Sequence, residues 1–277
     1  MLNKFYIENH IKNALMEDIG FGDITTDNLT GEFDILKAEL RTREDGVLAG
    51  SNVFKTVFKI LSDDVKINFY FKDGHVIKKG DKLASIEGPA RAVLSGERVA
   101  LNYIQRMSGI ASETNKYANT IADLPAKIID TRKTTPNFRA FEKYSVKMGG
   151  GSLHRFNLSD CVMVKDNHIK FAGSITNAVK QLKENVSHAH KIEIECDTIE
   201  QVKEALECGV DIIMLDNMTL DEMKHAVNII NHKAIVEASG NVNIQNLRNI
   251  AMTGVDIISS SAIVAKAPTL DIALDIE

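Results

Sequence analysis

The 277-residue chain reads as an α/β protein whose second part is a parallel α/β barrel of fewer than eight strands. Three observations lead there. Apolar, β-branched runs recur along the second part, helical segments lie between them, and no G-x-G-x-x-G follows the first run. Strand alternating with helix gives parallel strands joined by right-handed crossovers. Nearly all-apolar runs belong to strands covered on both faces. The missing glycine fingerprint argues against the nucleotide-binding form of a doubly wound open sheet, which stands as the alternative topology.

Elements follow in order. Ile7, Ile11 and Leu15 fall at helical spacing near the start, and Gly20 ends that helix. Short β-type runs come next, such as 65–71 (VKINFYF), with turn signals at Asp45-Gly46, Asp73-Gly74 and Lys79-Gly80-Asp81. The stretch GHVIKKGDKLASIEGPA is similar to carrier hairpins, but no lysine stands at a tight turn between apolar neighbours, so a carrier role is set aside. A helix is expected over Ser95–Met107, and the pattern changes near 107. Six runs then mark strands: KIID (127–130), CVMVK (161–165), IEIE (192–195), DIIML (211–215), AIVE (234–237) and DIIS (256–259). Thr219 and Glu222 form a capping box with Met218 and Met223 as its staple, and Asp197 is the expected cap of another helix closing before Gly209. The expected division is residues 1–107 and 108–277, with the C-terminal tail free to pack back on the first domain.

Composition excludes several classes. At 44% hydrophobic and 26% charged residues the chain is neither disordered nor collagen-like. No stretch approaches the roughly 18–20 apolar residues of a membrane span, and residues 1–20 lack the apolar core of a signal peptide. Cys161, Cys196 and Cys208 form no C-x-x-C pair, as expected of a reduced, cytoplasmic protein. A net charge of −5 argues against nucleic acid as partner. Residues 127–170 nevertheless hold nine Lys/Arg against four Asp/Glu, which points to a local anion site.

Barrel sites lie at the C-terminal ends of the strands. Those ends here carry Asp130-Thr131-Arg132-Lys133, Lys165-Asp166-Asn167-His168, Glu195, Asp216-Asn217, Glu237-Ala238-Ser239-Gly240 and Ser259-Ser260-Ser261, while Gly149-Gly150-Gly151 precedes His154-Arg155. Arg132, Lys133, Arg155 and Lys165 are cations converging on one mouth, and clustered cations require anions. Arg pairs with carboxylate or phosphate through two donors, and Lys supplies a point charge. Glu195 and Asp216 are acids able to hold Mg²⁺, bind hydroxyls or stabilise a developing cation. Ser239, Gly240 and the triple serine lie where barrels commonly bind phosphate. The residues alone therefore point to a polyanionic substrate. His188 and His190 lack a third metal ligand nearby and read as a surface loop, and Cys196 reads as core.

The blocks Asp130-Thr131-Arg132-Lys133-Thr134-Thr135-Pro136, Glu142-Lys143-Tyr144, Gly149-Gly150-Gly151 with His154-Arg155, and Lys165-Asp166-Asn167-His168-Ile169 resemble the quinolinate phosphoribosyltransferase family. Glu17-Asp18-Ile19-Gly20, Gly22-Asp23-Ile24-Thr25-Thr26, Gly96-Glu97-Arg98, Leu215-Asp216-Asn217-Met218 and Glu237-Ala238-Ser239-Gly240 fit it too, in order along nearly the whole chain. The resemblance implies an N-terminal α/β sandwich domain before the barrel. It implies transfer of phosphoribosyl from 5-phosphoribosyl-1-diphosphate to quinolinate with Mg²⁺, giving nicotinate mononucleotide, diphosphate and CO₂ in de novo NAD biosynthesis. It implies a homodimer or higher oligomer in which Arg98 reaches the neighbouring site. Arg132, His154, Arg155 and Lys165 would surround quinolinate, with Thr131 beside them, and Lys133 would face the diphosphate. Glu195 and Asp216 would stabilise the ribosyl cation or fix hydroxyls and Mg²⁺, and Ser239, Gly240 and Ser261 would lie on phosphate. No dedicated general base is expected.

The sequence departs from the family near its end, where Asn241, Ser261 and Ala265 stand at positions usually occupied by glycine, glycine and histidine, with Lys266 adjacent. Alternative readings are a related transferase acting on nicotinate or associated with molybdate transport, and a non-catalytic binding relative. The retained Lys165-Asp166-Asn167-His168 block and the intact acids and cations favour the quinolinate enzyme.

Overall fold

The computed structural model describes residues 3–276, which divide into two units. The first gathers Met1–Asn115, Pro136–Gly150 and Ala267–Glu277; the second gathers Lys116–Thr135 and Gly151–Lys266.

The first unit opens with α1 (Lys4–Ile19), capped by the Asn3 side chain and ended by Gly20. Its buried face is Ile7, Ile11 and Leu15, as the spacing predicts. There follow α2 (Ile24–Leu29), β1 (Ile35–Thr42), β2 (Gly46–Val47), α3 (Ser51–Leu61), β3 (Lys66–Phe69), β4 (Val76–Ile77), β5 (Lys82–Pro89) and α4 (Ala90–Thr120). The α4 helix outruns the expected Ser95–Met107 because Ile110, Ala111, Thr114 and Tyr117 continue the helical spacing and are buried. Gly109 lies inside it; a Cβ there would sit 1.9 Å from the Pro268 carbonyl oxygen, so only glycine lets the C-terminal segment cross. That segment ends in the strand Ile272–Ile276, which pairs antiparallel with β1. The sheet is antiparallel, ordered Ile272–Ile276, β1, β5, β3.

A division near residue 107 misses one feature. Pro136–Gly150, with α5 (Arg139–Met148), groups with the first unit because Phe141 is fully buried in its core and Phe138, Tyr144 and Met148 pack there. Glu142 and Tyr144 are structural within that unit. Buried Glu142 pairs with Arg106 at 3.3 Å, and the Tyr144 hydroxyl donates to Asp73 Oδ2 at 2.7 Å. Asp73 also accepts the backbone N–H groups of Gly50 and Ser51, which opens α3.

The second unit runs β6 (Lys127–Ile129), β7 (Val162–Val164), α6 (Asp166–Ala172), α7 (Ile175–Asn185), β8 (Ile192–Cys196), α8 (Ile199–Glu207), β9 (Ile212–Asp216), α9 (Leu220–Ile230), β10 (Ile235–Ser239), α10 (Leu247–Ala251), β11 (Ile257–Ser259) and α11 (Ala262–Ala265). Its six strands are parallel in the order β6-β11-β10-β9-β8-β7. The first and last strands are neighbours, which a doubly wound sheet does not produce, so the topology is that of the barrel. Beyond β6 an isolated bridge joins Ile129 to Ser152.

Register fixes what points inward. Across β8, β9 and β10, Glu195 lies level with Met214, and Met214 with Glu237. One step toward the mouth, Asp216 lies level with Ser239. Since side chains alternate faces along a strand, Glu193 and Glu195 share the inner face of β8 while Ile194 and Cys196 face outward.

The Thr219/Glu222 capping box forms, with Met218 and Met223 buried beside it. The cap of α8 is Thr198 rather than Asp197. Thr198 accepts the Gln201 N–H, while Gln201 reaches back to the N–H groups of Thr198 and Asp197. The helix begins one residue later because Thr198 and Gln201 have the three-residue spacing that satisfies both ends of the box. Replacing Thr198 with Ala should cost about 1 kcal/mol in urea unfolding, whereas Asp197→Ala should cost only a few tenths; equal losses would restore Asp197 as the cap.

Candidate active site

Within the second unit, Thr131, Arg132, Lys133, His154, Arg155, Met163, Lys165, Glu195, Met214, Asp216, Ser239 and Ser259 enclose a cavity of about 460 Å³. That volume suits a small ligand. Ten of these twelve were named from the sequence. The cavity brings together all four cations and both acids.

Each side chain is placed by its strand. Arg132 and Lys133 follow β6, where Thr131 Oγ1 accepts the Lys133 N–H and tightens the turn. Lys165 follows β7 directly, and its ammonium meets Glu195 Oε2 at 2.5 Å. Glu195 is largely shielded, with its side chain 14% exposed against 45% for Lys165. Asp216 ends β9, and its Oδ2 accepts from the Asn217 side-chain amide at 2.7 Å. Arg155 is held by the Cys161 carbonyl at 2.8 Å and Met163 Sδ at 3.4 Å. With four cations facing two acids, the cavity keeps an excess of positive charge suited to a dianion.

Below this layer lies a cluster that the sequence reading did not single out. His154 Nε2 is 3.5 Å from Glu193 Oε2 and 3.7 Å from Glu237 Oε1. Both glutamates are buried, at 0% and 2% exposure. Burial, reinforced by the charge of Glu193, pushes the Glu237 carboxyl up to about 7. The signal was present in the I-E-I-E run: the same alternation that aims Glu195 inward aims Glu193 inward too. Met163 and Met214 were also missed as lining residues; they share the inward parity of Lys165 and Asp216 on their strands.

Three expected site residues lie off the cavity wall. Arg98 is an exposed residue of α4 in the first unit. Gly240 lies behind Ser239 and turns the chain at φ +95; a Cβ there would meet Asn217 Oδ1 at 2.2 Å and its backbone nitrogen at 2.8 Å. Ser261 stands at the start of α11, beyond the end of β11 at Ser259, and the Ser260 hydroxyl before it donates to the Val242 carbonyl. Asn241 adopts φ +51 and donates to Asn217 Oδ1 at 3.0 Å, which completes a relay to Asp216. Ala265 and Lys266 are exposed at the end of α11.

As to metals, Glu195 and Asp216 offer hard oxygen donors to the cavity, the one or two carboxylates that Mg²⁺ takes alongside phosphate oxygens. Of His188 and His190, His190 Nε2 lies 3.2 Å from the Ser159 carbonyl. Cys196 is buried, which pushes its thiol up to about 12.

A family model described as quinolinate phosphoribosyl transferase, C-terminal domain, matches residues 110–275, and the corresponding N-terminal model matches residues 23–108. The chain is 40% identical over 275 residues to a protein of Bacillus subtilis named probable nicotinate-nucleotide pyrophosphorylase (carboxylating), covering 99% of this chain and 95% of that relative. A protein of the same name from Synechocystis is 43% identical over 273 residues, covering 98% and 92%. The crystal structure of NadC from Streptococcus pyogenes superposes with a TM-score of 0.97 at 39% identity, covering 100% of this chain and 98% of that one.

Two outcomes follow from this geometry. Gly240→Ala should cost about 1–3 kcal/mol, through the left-handed backbone and the overlap with Asn217, and should lower activity by displacing Asp216; an unchanged urea midpoint would refute the close approach. Because the folded Glu237 pKa lies above the unfolded one, the folded state retains a proton that the unfolded chain releases. Stability is therefore full below the ordinary carboxyl range and falls as pH rises from there toward about 7. Glu237→Gln should flatten that decline and raise the urea midpoint at pH 8 more than at pH 5.

Proposed function

The chain belongs to the quinolinate phosphoribosyl transferase family, which is a family of pentosyltransferases, and from that premise we propose that it makes nicotinate mononucleotide, diphosphate and CO₂ from quinolinate and 5-phosphoribosyl-1-diphosphate. The observation that carries this reading is one cavity lined by four cations and two acids at the strand ends. Quinolinate brings two carboxylates, which suit Arg132, Arg155 and Lys165, with His154 in the same wall. Lys133, exposed at the rim, is placed for the diphosphate. Departure of diphosphate leaves positive charge on the ribose, and Glu195 and Asp216 face the space where it develops.

The pyridine nitrogen then bonds to the ribosyl carbon. The quaternised ring draws in the electron pair of the adjacent carbon–carboxylate bond, CO₂ leaves, and the ring carbon takes a proton from solvent. Positioning and charge do most of the work, and no dedicated base is invoked. Mg²⁺, held by Glu195 and Asp216 directly or through water, would neutralise diphosphate charge. When substrate carboxylate arrives, Lys165 is expected to exchange part of its contact with Glu195 for the new anion. Ser239 supports a phosphate subsite, and Gly240 shapes it from behind.

The proposal includes a homodimer or higher oligomer with Arg98 serving the neighbouring site. Supporting it, Phe21, Ile24, Leu29, Phe33 and Ile35 of the first unit are large apolar residues left exposed. It also includes a cytoplasmic location, supported by three free cysteines. Among the described residues no helix is long and apolar enough to cross a membrane.

Purified protein with Mg²⁺ and phosphoribosyl diphosphate should release nicotinate mononucleotide and labelled CO₂ from quinolinate labelled at the 2-carboxylate. Product from nicotinate instead would reassign the substrate. Arg132→Ala should lower kcat/KM for quinolinate by about a hundredfold or more, and an unchanged value would remove Arg132 from the site. Mixing inactive Arg98→Ala and Glu195→Gln subunits should restore activity if Arg98 acts across an interface; no recovery, with subunit exchange verified, would confine Arg98 to its own subunit.

A further inference from the structure

Glu193 and Glu237 stand outside the chemistry just described, yet both are buried in the barrel of a chain that could have placed Leu or Met there. Burying carboxylates costs stability unless they are paired or hydrogen-bonded. Both face His154 Nε2, at 3.5 and 3.7 Å, and Glu237 also meets the Ser259 hydroxyl. Neither oxygen of Glu193 has a hydrogen-bond donor within ordinary reach among the described residues.

The other side of the ring decides what that atom carries. His154 Nδ1 accepts the backbone N–H of Arg155 at 2.7 Å. A nitrogen that accepts a hydrogen bond holds a lone pair and no proton. The ring proton is therefore on Nε2, directed at the two carboxylates. This also separates two readings of the cluster. His154, Glu193 and Glu237 gather within 4.8 Å like a set of metal ligands, but a metal at Nε2 would require a lone pair that the protonated nitrogen lacks.

We propose that Glu193 and Glu237 are positioning residues that hold the His154 ring in its Nε2–H tautomer, keeping Nδ1 free to accept the Arg155 N–H and so fixing the turn that presents His154 and Arg155 to the substrate. The remaining contacts of the turn agree. Buried Asp130 accepts the His154 backbone N–H at 2.8 Å, and the Arg155 guanidinium is tied to Cys161 and Met163. With the His154 backbone held by Asp130, its own N–H held by the His154 ring and its side chain held through the β7 end, Arg155 enters the cavity with little freedom left to lose on binding. In the other tautomer Nδ1–H would face the Arg155 N–H, donor against donor, and the turn would lose its anchor.

This inference rests on the quinolinate reading for its kinetic arm alone. The test compares two double variants. Glu193→Met with Glu237→Met fills the same volume but removes every acceptor; Glu193→Gln with Glu237→Gln keeps an acceptor oxygen at each position. Ring ¹⁵N shifts of histidine-labelled protein, with the His154 signals identified by their loss in His154→Asn, should show Nε2 protonated and Nδ1 unprotonated in the parent protein. The Met pair should lose that pattern and raise KM for quinolinate about tenfold, with KM for phosphoribosyl diphosphate within about twofold, and the Gln pair should keep the pattern and stay within about threefold of the parent. A role in packing alone predicts the Met pair at least as good as the Gln pair, which would overturn the proposal. So would a proton on Nδ1 in the parent protein, or a stoichiometric metal lost with either pair. If the parent protein turns over no quinolinate, the ring shifts still decide the positioning role.

Discussion

Gathering four cations around one cavity is the demand that the rest of the second unit has to meet. Like charges brought together repel, and the cost grows as they are shielded from water. The barrel meets it by register. Parallel strands end at one mouth, so a single inward parity carries the acids to the same level as the cations. Glu195 takes Lys165, Asp216 stands one strand over, and the charge left unbalanced is charge that a dianionic ligand would neutralise.

That solution propagates downward. The inward positions of a small barrel are ordinarily filled by branched apolar side chains. Here the layer beneath the cavity holds Glu193 and Glu237 with His154 between them. Burial and the charge of Glu193 disfavour the ionised form of Glu237, so the layer holds charge at a cost. Groups retained at a cost to stability mark places where local rules give way to function. In the first unit the buried acid is paired. Its buried Glu142 is matched by Arg106, and its Asp73 is saturated by two backbone N–H groups and the Tyr144 hydroxyl.

Legibility followed periodicity. The six strands could be read because Ile- and Val-rich runs recur with helices between them, and α1 because Ile7, Ile11 and Leu15 repeat at helical spacing. The mouth could be read because polar residues stop each run. Two things were hidden for physical reasons. The assignment of Pro136–Gly150 to the first unit depends on where Phe138, Phe141 and Tyr144 find a core, which is a long-range matter that no local pattern encodes. The Glu193–His154–Glu237 cluster joins three elements far apart in sequence: the alternation in β8 aims Glu193 inward, but nothing local says that it meets His154 and Glu237 there. Cap identity failed by a single residue because Asp197 and Thr198 are both good caps, and only the position of Gln201 separates them.

The departures near the C-terminal strands acquire a physical meaning once Asn241 is placed. A left-handed φ of +51 is tolerated by asparagine better than by other non-glycine residues, so the turn after β10 survives the exchange for glycine. Asparagine then adds what glycine cannot. Its amide donates to Asn217, itself left-handed at φ +54, and Asn217 donates in turn to Asp216. Gly240 must remain glycine between them because Asn217 fills the space of its Cβ. The exchange therefore keeps the path of the chain and ties the β10 turn to an acid of the cavity. Ser261 and Ala265 differ in kind. They lie beyond Ser259 on and after the turn into α11, off the cavity wall, so they leave its charge unaltered. Of the three, only Asn241 is tied to a residue of the wall, and the four cations and two acids that line the cavity stay in place.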